Sequence, residues 1–278
     1  MIPMTTLLGI VKYLESIAPP RLVFKGLESR VEVGPQTESE QEKTTINRIV
    51  IATYPSGRVV TKASQDKANL LITHRPLFPF AVDRISGLDL IRIRLLSKNY
   101  ISSLTLGSPW MCARDGLTDA FVELLGLKRV GDFSVMGDLE EVVPAGRLCL
   151  PPSVMNHSRF ANYLTEKVGI ESVTFSGDLD DEVKQILIFP GSHVDVPEIV
   201  EAKNLNVGSL VTGELSPEVR LLAIEEGVNI FELGSFVTEE PGMRRLRHQF
   251  SLEFPDLKVE FVESITPTKS LSYKKERH

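Results

Sequence analysis

The sequence has few cysteines, no excess of positive charge and no long apolar run. Cys112 and Cys149 are the only cysteines and do not form a CxxC pair, which excludes a thiolate zinc site built from these residues alone. This sparing use of cysteine fits a reducing compartment. The 31 lysines and arginines are outnumbered by 37 aspartates and glutamates, and the net charge of −6 argues against a strongly basic nucleic-acid surface. No segment approaches the ~18 consecutive apolar residues of a membrane span.

The remaining composition is that of a globular protein with a sizeable core. Of the 278 residues, 42% are hydrophobic and 24% are charged, which is ordinary for this class. The length exceeds the usual domain size of ~100–150 residues, so one large or two linked domains are expected. The N-terminal segment carries Lys12 and Glu15 within its apolar pattern, which indicates an amphipathic helix rather than a signal peptide. We therefore expect the protein in the cytoplasm.

Short apolar runs alternate with amphipathic segments along the whole chain. This order predicts an α/β fold of two linked, pseudo-duplicated domains with mainly parallel sheets and right-handed crossovers. A stretch with glycine and proline among acidic residues separates the halves. We predict domains at 1–130 and 145–263, followed by a flexible tail at 264–278. The polar run 35–43 is predicted to be a loop, and 88–97 a helix with a wide buried face.

The segment Asn69–Phe80, NLLITHRPLFPF, carries the clearest candidate site. Its apolar run is typical of a short, buried strand of a parallel sheet, and His74 and Arg75 follow where the run stops. Ligands of open α/β sheets bind beyond the carboxyl ends of the strands, and Pro76 keeps Arg75 out of helical geometry. The segment therefore predicts a site at this strand end. The alternative is that His74 caps the strand end and Arg75 meets solvent.

Two pairs of segments echo each other. NLLITHRP (69–76) and GSLVTGELSP (208–217) each run from an apolar strand through threonine and a polar pair to proline. YISSLTLGS (100–108) and VNIFELGS (228–235) each end a strand on Leu-Gly-Ser. A true repeat would give each domain two such strand ends. Chance similarity between buried strands is the alternative.

The order of these motifs resembles the GTP cyclohydrolase I type 2-like family, also called the NGG1-interacting-factor-three family. The resemblance covers roughly residues 46–262. THRPLF resembles the family's His-His-Pro-Leu-Phe strand end, and GSPWMCARDGLTDAFVELLGL resembles its His-Thr-Asn-Leu-Asp segment with the helix that follows. VTGELS and LGSFVTEEPG resemble its Thr-Gly-Glu-Ile-Ser-His and Gly-His-Tyr-Ala-Thr-Glu-Arg-Pro-Gly blocks. The resemblance implies a ring-shaped hexamer with a pair of metal ions between the two domains.

The resemblance also assigns the metal ligands residue by residue. In the family these are both histidines of His-His-Pro, the aspartate of His-Thr-Asn-Leu-Asp, and the histidine and glutamate of the last block. In this sequence only His74 and Glu239 remain. The second histidine is Arg75, the aspartate falls on Met111 and the last histidine falls on Ser235. The resemblance therefore implies a degraded metal site in which His74 and Glu239 are the surviving ligands.

The chemistry of these changes predicts what the pocket binds. A two-metal site holds ions ~3.5–4 Å apart so that both act on one substrate oxygen, and one histidine with one carboxylate cannot hold two ions. The cation of Arg75 opposes a metal ion beside it, whereas a guanidinium suits a phosphate or carboxylate through two parallel hydrogen bonds. We expect at most one weakly bound divalent metal and a pocket shifted toward anions. The expected pocket residues are Arg75, Ser108, Glu214, Ser235 and Thr238.

Four residues near these motifs keep two interpretations each. Glu214 and Asp119 match family positions but could equally cap helices. Cys112 could replace the lost aspartate only after a shift of one residue, and a buried thiol is the simpler interpretation. Asp115 could reach the pocket only if its turn differs from that of the family.

Three further features lie outside the matched motifs. The turn Gly191-Ser192-His193 follows a predicted strand and could cradle a phosphate, or it could be a plain turn. His157 and His248 lie on predicted helices, where the simplest expectation is that both face solvent.

Two functions from different classes compete. The favoured one is a noncatalytic or weakly active family member, an oligomeric scaffold whose inter-domain pocket holds an anion or a partner's side chain. The other is a metal-dependent hydrolase or cyclohydrolase acting on a nucleotide-like substrate. The expected partner is a second copy of the chain, as a hexamer by family resemblance. Nucleic-acid binding rests only on basic clusters around Arg94 and Arg245, which are most simply solvated helix faces, and no membrane contact is expected.

Overall fold

The computed structural model describes residues 5–264. Within them lie ten α-helices, eleven strands and a 3₁₀ helix at Pro20–Leu22. The first half contains, in chain order, α1 (Leu7–Ile17), β1 (Arg30–Val33), α2 (Glu38–Lys43), β2 (Arg48–Ala52), α3 (Gly57–Gln65), β3 (Leu70–Thr73), α4 (Gly87–Lys98), β4 (Ser102–Thr105), α5 (Gly107–Cys112) and α6 (Leu117–Leu125). The second half contains β5 (Lys128–Met136), β6 (Val142–Leu150), α7 (His157–Val168), β7 (Thr174–Ser176), β8 (Ile186–Phe189), α8 (Val196–Asn204), β9 (Ser209–Thr212), α9 (Pro217–Glu225), β10 (Asn229–Glu232), α10 (Ser235–Glu253) and β11 (Lys258–Phe261).

The strands form two sheets, and the predicted α/β class is confirmed. The first sheet has the order β1-β4-β3-β2-β11 and is parallel except where β1 meets β4. The second has the order β5-β6-β8-β9-β10-β7 and is parallel only across β8, β9 and β10. The expectation of mainly parallel sheets therefore holds for the first sheet alone. In the second sheet β5 and β6 are joined by a short turn, and a short turn permits only antiparallel pairing.

The central strands of the two sheets repeat one arrangement. Strands β2, β3 and β4 lie side by side in chain order, and so do β8, β9 and β10. The backbone N–H of Leu106 donates to the carbonyl of Thr73 at 2.8 Å, and that of Leu233 donates to the carbonyl of Thr212 at 3.0 Å. The echo between the strand ends in the sequence is thus matched by a repeated backbone hydrogen bond.

The chain crosses between the sheets near its end. Strand β11 pairs in parallel with β2 of the first sheet, so that Val259 lies opposite Ile49. The stretch between the predicted domains, 131–144, forms most of β5, a turn and the start of β6 in the second sheet. The bounds 1–130 and 145–263 remain a prediction, and the described strands connect the two ranges through β11.

One apolar core joins the two sheets. Ile72 of the first sheet, Phe189 of the second, Trp110 of α5 and Phe250 of α10 are fully buried in the same cluster. Burial of this apolar surface holds the sheets in a fixed relation. The described helices include none that is both long and apolar enough to cross a membrane.

Three local predictions need correction or qualification. The run 35–43 forms helix α2 rather than only a loop, because Thr37 and Glu40 exchange backbone-to-side-chain hydrogen bonds as a capping box. Helix α4 fully buries only Leu96, whereas Leu88 is 72% exposed, so the predicted wide buried face is wrong for a single chain. Of the predicted tail, 265–278 lies outside the described residues, and Ser264 is buried.

Candidate functional site

Strand ends from both sheets meet around one cluster of polar side chains, His74, Arg75, His193 and Glu239, which we call the pocket. His74 and Arg75 follow β3 of the first sheet, and the turn 191–193 follows β8 of the second. Glu214 follows β9, and α10, which carries Glu239, begins just after β10. The carboxyl ends of parallel strands are the usual ligand position in α/β folds. The fold thus places the chemistry-bearing residues of both halves at the same edge.

Three buried side chains converge within this pocket. One ligand atom from each of His74, His193 and Glu239 lies within 4.8 Å of the others. Nε2 of His74 is 3.9 Å from Oε1 of Glu239. Within residues 5–264, neither ring nitrogen of His74 has a hydrogen-bond partner, and Nε2 of His193 has none either. Because buried polar groups are nearly always paired, these nitrogens point to a ligand.

Arg75 holds both carboxylate oxygens of Glu239. Its Nε donates to Oε2 of Glu239 at 3.1 Å, and its Nη2 donates to Oε1. The guanidinium carbon lies 5.8 Å from the centre of the Tyr54 ring, and that ring stacks on Phe236 with centroids 4.1 Å apart. The glutamate is fully buried, and the arginine side chain is 16% exposed. A buried carboxylate needs such a partner, since an unpaired buried charge is strongly destabilising.

The charges in the pocket follow from burial and from Arg75. Burial, and then the Arg75 guanidinium, holds the pKa of His74 well below its ordinary value. Burial, Arg75 and Lys25 do the same to the pKa of His193. Both imidazoles are therefore neutral near pH 7, with a lone pair free on one nitrogen of each. Burial raises the pKa of Glu239, and the paired guanidinium opposes this rise.

The turn after β8 leaves room for the ion pair between Arg75 and Glu239. Gly191 has φ of +77°, and a Cβ there would lie 2.5 Å from Oε1 of Glu239 and 2.9 Å from Nη2 of Arg75. The N–H of Gly191 donates to Oγ1 of Thr238 at 3.0 Å, and its carbonyl accepts from the N–H of Gly213 at 2.8 Å. This N–H is already satisfied, which disfavours the phosphate-cradle interpretation of the turn. The turn places His193 beside Glu239.

Several predicted pocket residues hold the backbone instead of facing the three converging side chains. Oγ of Ser108 accepts from the N–H of Phe24 at 2.9 Å and donates to the carbonyl of Leu27 at 2.9 Å. The N–H of Ser235 donates to Oε1 of Glu214 at 2.8 Å, and its hydroxyl donates to the other carboxylate oxygen. Glu214 therefore anchors the start of α10, close to Arg75.

The residues considered as replacement ligands lie elsewhere. Met111 and Cys112 are fully buried in the apolar core, and burial raises the pKa of the Cys112 thiol to about 12. Asp119 accepts from Nε of Arg147 at 2.6 Å and from the N–H of Asp115 at 2.8 Å. Asp115 itself is exposed. Asp119 is thus engaged in an ion pair and a local cap.

Sequence analysis does not place His193 beside His74 and Glu239. The pattern GSH showed only a turn after a strand, because a histidine at a turn is most often exposed. The available signal was positional, since the turn ends β8, which lies in the second sheet beside the strand that echoes β3.

The expectation for His157 is wrong. It is 1% exposed, with Nε2 2.9 Å from Oγ of Ser209 and Nδ1 2.7 Å from the carbonyl of Asp178. It lies at the first turn of α7, where these two polar partners allow the ring to be buried. His248 is exposed, as expected.

Comparison with known proteins places this fold and sequence in a family. A family model described as Duf34/NIF3 (NGG1p interacting factor 3) matches residues 5–269. A Clostridium perfringens protein named GTP cyclohydrolase 1 type 2 homolog is 27% identical over 257 residues, 92% of this chain and 94% of that protein. The Escherichia coli K12 protein of the same name is 25% identical over 260 residues, 91% of this chain and 98% of that protein. The crystal structure of a Bacillus cereus protein related to NIF3 has a TM-score of 0.81 at 17% identity, covering 96% of this chain and 100% of that chain. Since the family model spans nearly the whole sequence, the chain belongs to the Duf34/NIF3 family.

Proposed function

We propose that this chain is a noncatalytic or weakly active member of its family, an oligomeric binding protein without two-metal hydrolytic chemistry. The observation that carries the proposal is the bidentate pair between Arg75 and Glu239. Two metal ions acting on one substrate oxygen need ligands for both. The described residues bring together only three candidate ligands, His74, His193 and Glu239, and one of these is already neutralised by a guanidinium. A two-metal centre therefore does not fit this pocket.

The ligand in this proposal is a compact anion or a partner's carboxylate. Arg75 can grip either through two parallel hydrogen bonds, and its side chain is 16% exposed. Glu239 already uses this fork, and the Glu214 carboxylate also interacts with Arg75. A bound anion must therefore displace Glu239 from the guanidinium.

An exposed apolar surface near helix α4 supports self-association of the chain. We use the name α4 surface for the exposed apolar residues of α4 and the segment before it, which are Phe80, Val82, Ile85, Leu88 and Ile91. Large exposed apolar areas are typical of interaction sites. A second copy of the chain is the proposed occupant, in a hexamer as the family resemblance implies.

The same proposal disfavours nucleic acid as a partner and keeps the cytoplasm as the location. Arg244 of one basic cluster pairs with Glu240 at 2.7 Å, and Arg92 of the other pairs with Asp89. These charges are already partly neutralised, which lowers the gain from phosphate contacts.

Both cysteines are free and buried, which supports a reducing compartment.

The second candidate is a metal-dependent hydrolase or cyclohydrolase acting on a nucleotide-like substrate. The convergence of two neutral imidazoles and a carboxylate favours it, because three protein ligands and a water are the pattern of catalytic zinc sites. Several relatives carry the name GTP cyclohydrolase 1 type 2 homolog.

A turnover assay separates the two candidates. Protein purified without a histidine tag is incubated with GTP and other nucleotides in the presence of zinc, manganese or iron, beside the Glu239→Gln variant. We expect no turnover above that of the variant. Turnover that is lost in both His74→Ala and Glu239→Gln would establish the hydrolase instead.

A further inference from the structure

We propose that the pocket is a site for one divalent transition-metal ion, held by His74, His193 and Glu239, with Arg75 as the competing occupant. The proposal rests on the proposed function, in which the pocket is not a two-metal centre. It deepens that function by adding His193, which neither the motifs nor the family resemblance supplies, and by giving Arg75 a role in setting metal affinity.

The positions of the three ligand atoms suit a single ion. A tetrahedral ion with bonds of ~2.1 Å holds its ligand atoms ~3.4 Å apart. The three ligand atoms here lie within 4.8 Å of one another, and Nε2 of His74 is 3.9 Å from Oε1 of Glu239. Side-chain movements of about 1 Å would bring the three ligand atoms to the spacing of a tetrahedral ion.

The donor set selects the class of metal. The unpaired ring nitrogens of His74 and His193 are buried and supply two neutral imidazoles, and Glu239 supplies a carboxylate. This combination is typical of zinc sites and of non-heme Fe(II) sites. Calcium and magnesium prefer sets composed of oxygen atoms. The proposed occupant is therefore zinc, iron or a similar ion, with at least one position open to water.

His193 is fixed in place by contacts outside the pocket. Nζ of Lys25 donates to the carbonyl of His193 at 2.5 Å and to carboxylate oxygens of Asp195 and Glu198 at 2.7 and 3.0 Å. The ring of His193 meets that of Phe24 edge-on, with centroids 6.2 Å apart. Contacts behind a ligand orient it and raise metal affinity. The backbone and ring face of His193 are thus held by residues outside the pocket.

Arg75 and the metal ion exclude each other at Glu239. The guanidinium binds both oxygens of the carboxylate, and a divalent ion at the same oxygens would meet a positive charge at close range. The partial exposure of Arg75 gives its side chain a route toward solvent. Metal binding to the wild-type protein therefore includes the cost of breaking this pair.

Titration with Co²⁺, followed by its visible d–d absorption, tests the proposal. The variants are Arg75→Met, Arg75→Gln and His193→Ala. Arg75→Gln can still hydrogen-bond to Glu239, and it replaces Arg75→Met in the test where loss of the charge impairs folding. Arg220→Met is the matched control, because Arg220 forms a similar bidentate pair with Glu232, at the end of β10, at 2.8 and 3.0 Å. Circular dichroism checks that each variant is folded, and elemental analysis gives the stoichiometry.

We expect one Co²⁺ per chain, binding at least about tenfold tighter in the Arg75 variants because a close positive charge is removed. His193→Ala should weaken binding about 100-fold or more, since even outer contacts to ligands contribute about 10–100-fold. Arg220→Met should match wild type. Failure of folded Arg75 variants to bind Co²⁺, or binding unaffected by His193→Ala, would overturn this inference alone. Two ions per chain would overturn the proposed function as well.

Discussion

At the scale of single residues, Glu239 is the group on which the pocket depends. Its two oxygens are held by Arg75, and it lies near ring nitrogens of His74 and His193 that have no hydrogen-bond partner among the described residues. If both proposals hold, binding of the anion and binding of the metal are coupled. An anion that pairs with Arg75 frees Glu239 to bind the metal, and a metal bound to Glu239 frees Arg75 to bind the anion. Such coupling is reciprocal by thermodynamic necessity.

The sequence could predict part of this site. His74 and Glu239 lie in motifs, and Arg75 follows the strand directly, so local sequence places them at the correct strand end and helix. His193 could not be assigned, because its burial depends on Lys25 and Phe24, which are far away in the sequence. The pairing of Arg75 with Glu239 likewise joins residues that are 164 positions apart. The expectation that Arg75 binds an anion does not include Glu239, which competes for the same guanidinium.

A second buried ion pair gives a pH-dependent prediction. Asp119 is bound by Arg147, whose side chain is 1% exposed. Burial opposes ionisation of Asp119, but the Arg147 hydrogen bonds and charge hold its pKa below the ordinary value. A lowered pKa in the folded state stabilises the protein above the unfolded-state pKa, and this contribution is lost as the pH falls through the folded-state value.

We therefore expect Asp119→Asn to lower the free energy of unfolding by up to about 3 kcal/mol at pH 7, because the buried guanidinium of Arg147 loses its nearest carboxylate. Only the longer carboxylate contact, to Asp132 at 3.4 Å, then remains. Urea unfolding at a series of pH values measures the difference from wild type, which should shrink below about pH 4. Glu28→Gln is the control, since its carboxylate is 59% exposed and pairs with Arg30 at the surface. A difference that stays constant down to pH 2 would contradict this explanation.

At the scale of elements, the turn after β8 and helix α10 together form one wall of the pocket. The turn approaches α10 so closely that a Cβ at position 191 would force the carboxylate of Glu239 or the turn itself to move. Thr238 of α10 closes the contact through its hydroxyl. The geometry of Arg75 and Glu239 therefore depends on a backbone conformation outside both residues.

This dependence predicts a larger effect of Gly191→Ala than of Gly169→Ala. Both glycines have positive φ, +77° and +72°, but a Cβ at Gly169 has no neighbour within 4 Å. The strained φ alone costs about 1 kcal/mol, and overpacking at Gly191 adds about 1–3 kcal/mol. Thermal and urea unfolding of the two variants measures the difference. Equal losses of stability would contradict the close contact with Glu239.

The elements that sequence patterns predicted correctly are those with a strong local signal. Strands β3, β9 and β10 are short apolar runs, and the amphipathic pattern of the N-terminal segment corresponds to α1. Helix α10 begins at Ser235 and continues past Pro241, although proline is more usual in the first turn of a helix. The antiparallel partners β5 and β7 have weak apolar patterns, and their places are set by pairing with distant strands.

At the scale of the whole molecule, two features were not readable from local sequence. Strand β11 returns to the first sheet, and one core spans both sheets. The pattern at 88–97 predicts a helix with a wide buried face, whereas Leu88 and Ile91 of the α4 surface are exposed in the single chain. A second chain covering this surface would remove the discrepancy.

We therefore expect Leu88→Lys combined with Ile91→Lys to yield a smaller assembly than wild type in light scattering coupled to size-exclusion chromatography. Charges placed in an apolar interface are costly to bury. Leu252→Lys is the control, because Leu252 is 70% exposed on α10, outside the α4 surface. An unchanged assembly in the α4 variant, or a wild-type monomer, would contradict self-association through this surface.

The most direct test of the central claim is anomalous diffraction at the cobalt edge from wild-type crystals saturated with Co²⁺. The claim is that this pocket takes one ion in competition with Arg75. The predicted result is a single anomalous peak bounded by His74, His193 and Glu239, with the guanidinium of Arg75 moved off the carboxylate. Two peaks ~3.5–4 Å apart, the spacing of a two-metal centre, or Arg75 still paired with Glu239 at full cobalt occupancy, would contradict it.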